Sequence, residues 1–565
     1  MRKRMKQGML RTLGFCLAVL CLLTACNLPG QNDPQTDATG TDSGSTRTDS
    51  STTDGKDSPV SPVNGTVVNI DSDALTYLYE KNGKKFTDLR AECIAWFESH
   101  YKDCGVSDLL YNLDGAVPSE THGYRGDRYN KTEENGVPVD YKSNTGVVAT
   151  YQAFEVLGID PYEIWFDQCR KNGINPWLSF RMNDVHSADA KTGHSDFFYR
   201  AKENGWFIGN SRANYWLGNP CTQGSRAWYP YCLNYRIPEV RQYFVDYIDE
   251  MLGRYDTYGI ELDWQRCIWC FPEDSIDNCQ YINLFMAAVN QTVAKYEKQY
   301  GHPIKIMARI NRDIDENKYF GFDVEHWAKQ DWIDVVVPAS YWGATDGDMP
   351  ISAWKERLKA YPSVEIYAGL ECHTVNNRYW QSISTLAGYT ANYLSQGADK
   401  IYLYNLFNDI KEKMIVCSSL ERALATAKRS YPVSRANTTP QGISGIREYA
   451  PFPMSLYVNE AVGTLQIQHG PLAKERDTVI YLGVSGIEKE DISADTMIVR
   501  LNGVECTYKG ISSKSEVGNG GEMGYILSFT VPASAIQGNG STVTVEVNMN
   551  LKLSYAELIN GNARI

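Results

Sequence analysis

Between about residues 71 and 431, short β-rich runs alternate with longer amphipathic stretches, and this alternation limits the chain more than anything else in it. Seven runs read as strands: 108–114 (DLLYNLD), 175–181 (NPWLSFR), 258–263 (YGIELD), 304–309 (IKIMAR), 333–341 (IDVVVPASY), 364–371 (VEIYAGLE) and 400–405 (KIYLYN). Helical patterns fall between them, among them 160–171, 238–254, 277–299, 352–359 and 382–396. Parallel strands need such crossover helices, so the order β, α, β, α predicts an α/β fold. A weaker eighth run near 147–154 would complete eight units and close a (β/α)8 TIM barrel. From about residue 446 the pattern changes to alternation without helices, punctuated by Gly and Asn, which predicts a C-terminal antiparallel β-sandwich. The expected domains are a barrel over 69–440 and a sandwich over 441–565.

In a barrel, chemistry sits where strands end and their loops converge. The residues at those ends are unusually polar: Asp114; Arg181, Asn183, Asp184 and His186; Glu261 and Asp263; Arg309; Tyr341 and Trp342; Glu371; Tyr404 and Asn405. The sharpest segment is Tyr258-Gly-Ile-Glu-Leu-Asp-Trp-Gln-Arg266. Side chains alternate along a strand, so Glu261 and Asp263 point inward while Ile260 and Leu262 face the helices. Asp263 ends the fourth strand and Glu371 the seventh, across the mouth from each other. Glycosidic cleavage needs two such carboxyls: one protonates the leaving oxygen, and the other attacks or stabilises the sugar cation or activates water. The alternative for Asp263 is a buried carboxylate bonded to an arginine such as Arg181 or Arg309. Glu261, one layer deeper, suits a ligand-binding or supporting role.

The segment from Arg181 to His186 is rich in hydrogen-bonding groups suited to hydroxyl recognition. No second histidine lies at ligand spacing from Asp184 and His186, so no metal is expected. G-x-S-x-G and G-x-G-x-x-G motifs are absent from the relevant places, which leaves a serine triad and a nucleotide cofactor unsupported; no cofactor is required.

At the N-terminus, Arg2, Lys3, Arg4, Lys6 and Arg11 precede an apolar stretch (LGFCLAVLCLLTA) that ends at Cys26. That stretch is short for a membrane span and reads as a signal peptide over 1–25. Leu23-Thr24-Ala25-Cys26 resembles the bacterial lipobox, which implies cleavage before Cys26, lipidation of its sulfur and a place on the cell envelope facing away from the cytoplasm. Residues 26–68 follow as a Ser/Thr/Asp-rich tether too poor in large apolar residues to bury a core. The formal net charge is −13, and loss of the five basic residues of 1–25 would take it to −18. Nucleic acid or an anionic membrane surface would call for the opposite sign. Membrane contact is therefore expected through the anchor alone. A neutral or polar partner suits the charge, and the 37 Tyr and 13 Trp suit stacking on sugar rings. Eleven cysteines remain from Cys93 onward, an odd number with no closed disulfide framework; bridges between Cys267 and Cys270 or Cys221 and Cys232 stay open.

The segments IDPYEIWFDQCRKNGINPWLSFRMNDVHS, YGIELDWQR, WIDVVVPASYW, DMPISAW, IYAGLE and GADKIYLYNLF together resemble a bacterial family of glycoside-hydrolase-like barrels, the family-10-like glycosyl hydrolases. The resemblance covers roughly 158–407. It implies a secreted barrel and a glycan substrate, and it supplies no catalytic residues. The central motif is also similar to that of chitinase-like barrels, whose fourth strand ends in acidic residues closing with the catalytic Glu. Gln265 occupies that last position here. Retaining hydrolases with catalytic Glu on strands four and seven place Asn before the first Glu, where this chain has Leu262. The sequence thus leads to a surface glycoside hydrolase with Glu371 as proton donor and Asp263 as nucleophile or stabilising carboxylate, two roles that could be exchanged. A non-catalytic glycan-binding lipoprotein is the alternative, and a lyase or transglycosylase would fit the same barrel.

Overall fold

The computed structural model describes residues 65–70, 88–112, 158–185, 196–209, 230–340, 345–371, 373, 382–405, 411–433 and 452–561, apart from 461 and 518–521, with two short paired segments at 133–134 and 137–138. Eight parallel strands close a barrel: β1 (Thr66–Ile70), β2 (Val106–Asn112), β3 (Asn175–Arg181), β4 (Gly259–Asp263), β5 (Lys305–Asn311), β6 (Val335–Ala339), β7 (Glu365–Leu370) and β8 (Lys400–Leu403). Strand β1 pairs with both β2 and β8, so no edge is left open.

The seven strong strand patterns are all present; 175–181 keeps its bounds, and the ends of the others move by one or two residues, inward in most cases but outward at the start of β2 and the end of β5. The closing strand is Thr66–Ile70, which the sequence had assigned largely to the tether. Its five residues directly follow a Ser/Thr/Pro/Gly-rich run and carry too little pattern to stand out. The stretch expected as the eighth strand, 147–154, lies outside the described residues. The barrel therefore begins ahead of the expected boundary, yet β4 and β7 keep their places as fourth and seventh.

Helices cover the outside: α1 (Leu89–Tyr101), α2 (Pro161–Lys171), α3 (Asp196–Glu203), α4 (Pro238–Arg254), α5 (Cys279–Tyr300), α6 (Ile314–Tyr319), α7 (Val324–Lys329), α8 (Ile351–Arg357), α9 (Ile383–Ser395), α10 (Lys411–Cys417) and α11 (Leu420–Ala425). Their ends are set locally. Asp160 caps α2 through the Tyr162 and Glu163 amides, with Pro161 in the first turn, and Ser382 with Thr385 forms a capping box on α9. No helix among the described residues is long and apolar enough to cross a membrane.

Alternation sorts each strand into two cores. Outward residues such as Leu178, Phe180, Ile260, Leu262, Ile306 and Ala308 pack against the helices. Inward apolar residues, including Val67, Leu110, Trp177, Met307, Val335, Val337 and Tyr402, form a separate cluster inside the barrel. At its base Asp108 is buried against Lys400 Nζ (2.6 Å), Asn175 Nδ2 (2.9 Å) and Trp177 Nε1 (3.0 Å). Burial pushes the Asp108 carboxyl up, but the Lys400 ammonium and these hydrogen bonds outweigh it and hold it below the usual carboxylate range. Gly259 makes room there, since a Cβ would collide with the Trp177 ring.

The C-terminal unit is an antiparallel sandwich whose strands are β9 (Lys428–Val433), β10 (Met454–Leu456), β11 (Gly463–Gln468), β12 (Thr478–Ser485), β13 (Met497–Leu501), β14 (Val504–Glu505), β15 (Thr507–Ile511), β16 (Ser515–Glu516), β17 (Met523–Thr530), β18 (Gly540–Val547) and β19 (Leu551–Gly561). One sheet runs β9-β19-β12-β17-β15, with β10 on β19 and β16 on β17; the other runs β11-β18-β13-β14. Inward-facing Ile480, Leu482, Leu527, Phe529, Val543 and Leu558 fill the space between them. Strand β9 pairs along its whole length with β19, so this unit starts at Lys428, ahead of the expected boundary at 440. It packs directly on the barrel: the Gly388 backbone in α9 lies so close to the Ser430 carbonyl of β9 that a Cβ would clash with it. Gly388→Ala should accordingly lower stability by about 1–3 kcal/mol, as overpacking of a fixed contact does. A thermal melt that leaves the midpoint unchanged would contradict this contact.

Candidate functional site

At the C-terminal ends of the strands, the side chains of Asp263 and Glu371 meet on one guanidinium. Arg309, inward on β5 and fully buried, donates from Nη1 to Asp263 Oδ1 (2.8 Å) and from Nη2 to Glu371 Oε1. Two oxygens gripped by the two terminal nitrogens of one guanidinium lie within roughly 7 Å of each other. Burial works against the charge on Arg309, but Asp263 and Glu371 outweigh it and hold its pKa well above the ordinary arginine value. The guanidinium also lies over the Tyr404 ring, 3.7 Å from its centre. Asp263 Oδ1 accepts a second bond from the Gln265 amide (3.0 Å), whereas its buried Oδ2 has no partner among the described residues. The Tyr404 hydroxyl, also buried, has none either.

One layer below, Glu261 is enclosed by donors from three other strands: Asn69 Nδ2 of β1 (2.7 Å), Ser179 Oγ of β3 (2.5 Å) and Tyr402 OH of β8 (2.5 Å). Burial, with the neighbouring Asp263 charge, pushes its carboxyl up from 4.5 to about 7 despite these bonds. Among the described residues it has no ion-pair cation of its own; Arg309, whose charge reaches it, is shared by the two acids above. The layering follows from β4 alone, because inward positions repeat every second residue.

Arg181 ends β3 and pairs with Asp184 (3.2 Å), both side chains buried. Arg266, three residues past the end of β4 at Asp263, interacts electrostatically with Arg181, Asp184 and Tyr404. Asn183 does something other than the expected ligand contact. Its Nδ2 donates to the Trp269 carbonyl (2.6 Å) and its Oδ1 accepts from the Leu233 amide (2.9 Å), so it braces the loops after β3 and β4. Gln265 is likewise committed, with Nε2 donating to the Ile310 (2.9 Å) and Ala339 (2.7 Å) carbonyls at the ends of β5 and β6. Asn405 has a left-handed backbone (φ 46°) just past β8, and its Oδ1 is unpartnered. Asp114, His186, Tyr341, Trp342 and Cys26 lie outside the described residues.

Several residues of the site went unremarked in the sequence. Ser179 stands two before Arg181 and Tyr402 two before Tyr404, so the alternation that placed Glu261 beneath Asp263 would have found both. Asn69 required the strand that was missed. The side chains of Cys232, Cys267 and Cys270 are buried, Cys267 is a free thiol and so forms no bridge to Cys270, and Cys221 lies outside the described residues. Among the described residues, no three His, Cys, Asp or Glu side chains are grouped as a metal would need.

The elevated Glu261 pKa has a measurable consequence. A folded state that holds a proton more tightly than the unfolded chain is favoured below the unfolded value, and loses that advantage as the pH rises through the folded one. The window here runs from 4.5 to about 7. Across it the wild-type chain should lose stability on the order of 2–3 kcal/mol that Glu261→Gln does not lose. Thermal midpoints of the two proteins at about pH 5 and about pH 8 test this; parallel changes would refute it.

No family model matches the chain, and no curated protein matches it in sequence. Solved structures are similar to it in shape. One is a cycloisomaltooligosaccharide glucanotransferase from Paenibacillus sp., at 7% identity and a TM-score of 0.34 over 87% of this chain and 57% of that one. Another is the catalytic domain of xylanase C from Talaromyces cellulolyticus, at 11% identity and a TM-score of 0.33 over 85% of this chain and 96% of that one. A third is the glycoside hydrolase domain of PgaB from Bordetella bronchiseptica, at 11% and 0.35 over 64% and 99%. The chain thus spans little more than half of the glucanotransferase. Likeness at these scores carries no argument about chemistry, which has to come from the site itself.

Proposed function

We propose that this chain is a glycoside hydrolase acting on a poly- or oligosaccharide at the cell surface, held to the envelope by a lipid on Cys26. The observation that carries the reading is the convergence of Asp263 and Glu371 on Arg309 at the barrel mouth. Two carboxyls brought close together at the mouth of a barrel are the groups that glycosidic cleavage calls for.

The two acids differ in a way that suggests their roles. Asp263 is fixed through Oδ1 by Arg309 and the Gln265 amide, which leaves Oδ2 as the free oxygen to attack, or stabilise, the anomeric carbon. Glu371 is the better proton donor. Once it carries a proton and lets go of Arg309, a balanced pair of one cation and one anion remains below it. The proton then passes to the leaving glycosidic oxygen, and Glu371, now a carboxylate, can draw a proton from the water that completes hydrolysis.

A second reading, a barrel that binds glycan without cleaving it, draws on Gln265. That side chain stands where chitinase-like barrels carry their acid, and both of its amide hydrogens are taken by backbone carbonyls.

Asp263→Asn separates the two. It keeps an acceptor for Arg309 and takes the charge of the Arg309, Asp263 and Glu371 group from −1 to zero, so the fold should survive. Cleavage of whichever glycan in an oligosaccharide and polysaccharide panel the wild type degrades should fall by about 10³-fold or more. Undiminished turnover would reject the assignment. A wild type that binds a glycan and cleaves none would leave the binding reading in place.

A further inference from the structure

Glu371 is the first residue past β7, where the barrel ladder runs out. The described register between β6 and β7 ends with Ala339 opposite Gly369, and on the other side the Leu370 carbonyl accepts the Tyr404 amide. Beyond that point the peptide groups of Glu371 are met by a side chain. Thr345 Oγ1 accepts from the Glu371 amide (2.9 Å) and donates to the Glu371 carbonyl (3.2 Å), and the Thr345 amide donates to the His373 carbonyl (2.9 Å). Thr345 is fully buried.

The loop that carries Thr345 is itself locked. Arg312, three residues past Arg309, pairs with Asp346 (2.8 Å) and Asp348 (2.6 Å). The Asp346 amide donates to Ser340 Oγ (2.9 Å), and Tyr393 of α9 donates to the Asp346 carbonyl. Trp354 of α8 in turn holds the Arg312 carbonyl (2.8 Å). The end of β5 and the residue just past it thus act on Glu371 twice: Arg309 takes the carboxylate, and Arg312 fixes the loop that takes the backbone.

We propose that Thr345 is a positioning residue for Glu371. Its hydroxyl stands in for the missing rung and fixes both peptide groups of one residue. This sets the direction in which the Glu371 carboxyl leaves the strand end, towards Arg309 and Asp263. An ordinary buried threonine would contribute a hydrogen bond to stability wherever it made one. Bonding to the amide and the carbonyl of the same residue instead constrains that residue's backbone dihedrals, and so the path of its side chain. The catalytic consequence rests on the hydrolase reading; the geometric one does not.

The test compares Thr345→Val, which keeps the shape and removes the hydroxyl, with Thr345→Ser, which keeps the hydroxyl, both in the full chain. In a crystal structure of Thr345→Val the Glu371 carboxylate should be off Arg309, while Thr345→Ser should retain the contact. On the glycan that the wild type cleaves, Thr345→Val should lower kcat on the order of 10²-fold, the penalty for displacing a reacting group by about 1 Å, with KM changed less than about threefold. Thr345→Ser should stay within about threefold of wild type. If Thr345→Val does not fold, Arg312→Lys serves in its place: Nη1 of the arginine meets both the Asp346 and Asp348 carboxylates while Nη2 donates to the Asp348 carbonyl (2.6 Å), a backbone grip that a lysine meeting the carboxylates cannot also supply, and its loss should release Glu371 in the same way. The proposal is overturned if the hydroxyl-free variant keeps both the contact and kcat, or if Thr345→Ser falls as far as Thr345→Val. A wild type that cleaves no glycan counts against the hydrolase reading alone. The crystal structures then decide: loss of the Glu371 contact in Thr345→Val upholds the role of Thr345, and its retention overturns it.

Discussion

Arg309 ties together three strand ends that are distant in the sequence. Its guanidinium joins β5 to Asp263 at the end of β4 and to Glu371 just past β7, with the Tyr404 ring beneath it from the end of β8. All of these groups are withdrawn from water, so none can be altered alone without consequence. Removing the cation would leave two buried carboxylates facing each other, a change that costs about 3–5 kcal/mol or more when a buried pair loses one member. Removing one acid is milder, because the remaining acid still balances the guanidinium. This asymmetry makes Arg309 the structural centre of the mouth.

The barrel interior is stacked by charge. At the base Asp108 has its own cation in Lys400. At the mouth, one arginine serves two acids. Between them Glu261 has only neutral donors, from Asn69, Ser179 and Tyr402. Its raised pKa follows from that arrangement: hydrogen bonds favour the carboxylate, but burial and the charge on Asp263 two residues away oppose it more strongly. Three buried acids thus share one nearby arginine, and the carboxyl of Glu261, which has no salt bridge to it, is pushed up to about 7.

How much of this could be read from the sequence depends on which part of the physics is local. Strand alternation is local, and YGIELD placed Glu261 and Asp263 inward with Ile260 and Leu262 outward, as the structure has them. Helix boundaries signalled by Asp160-Pro161 and by Ser382 were also legible. Strand β1 was not, because five residues joined to a polar tether carry too few turns of pattern to register. The partner of Asp263 was foreseen only as a choice between Arg181 and Arg309. The choice depends on β4 and β5 being adjacent in the sheet, with Asp263 level with Arg309; Arg181, level with Asp263 on its other side, turns to Asp184 instead. The bracing role of Asn183 was hidden for a similar reason. Its polarity suggested a ligand, but its amide is spent on the backbone of loops whose meeting no spacing rule announces.

The polar column also bears on why these residues are there at all. The fold does not require them, since β6 lines the same interior with Val335, Val337 and Ala339. Buried ion pairs are weak stabilisers, and replacing them with well-packed apolar side chains is often neutral or favourable. A barrel selected for stability alone would have extended the valines of β6 around the mouth. Instead three strands contribute two acids and one arginine at their C-terminal ends, with an unpartnered carboxylate oxygen left on Asp263. Departures from the stable arrangement gather where a chain does its work. Here they gather at the end of the barrel where the loops converge, while at the base the Asp108 and Lys400 pair is closed and fully bonded.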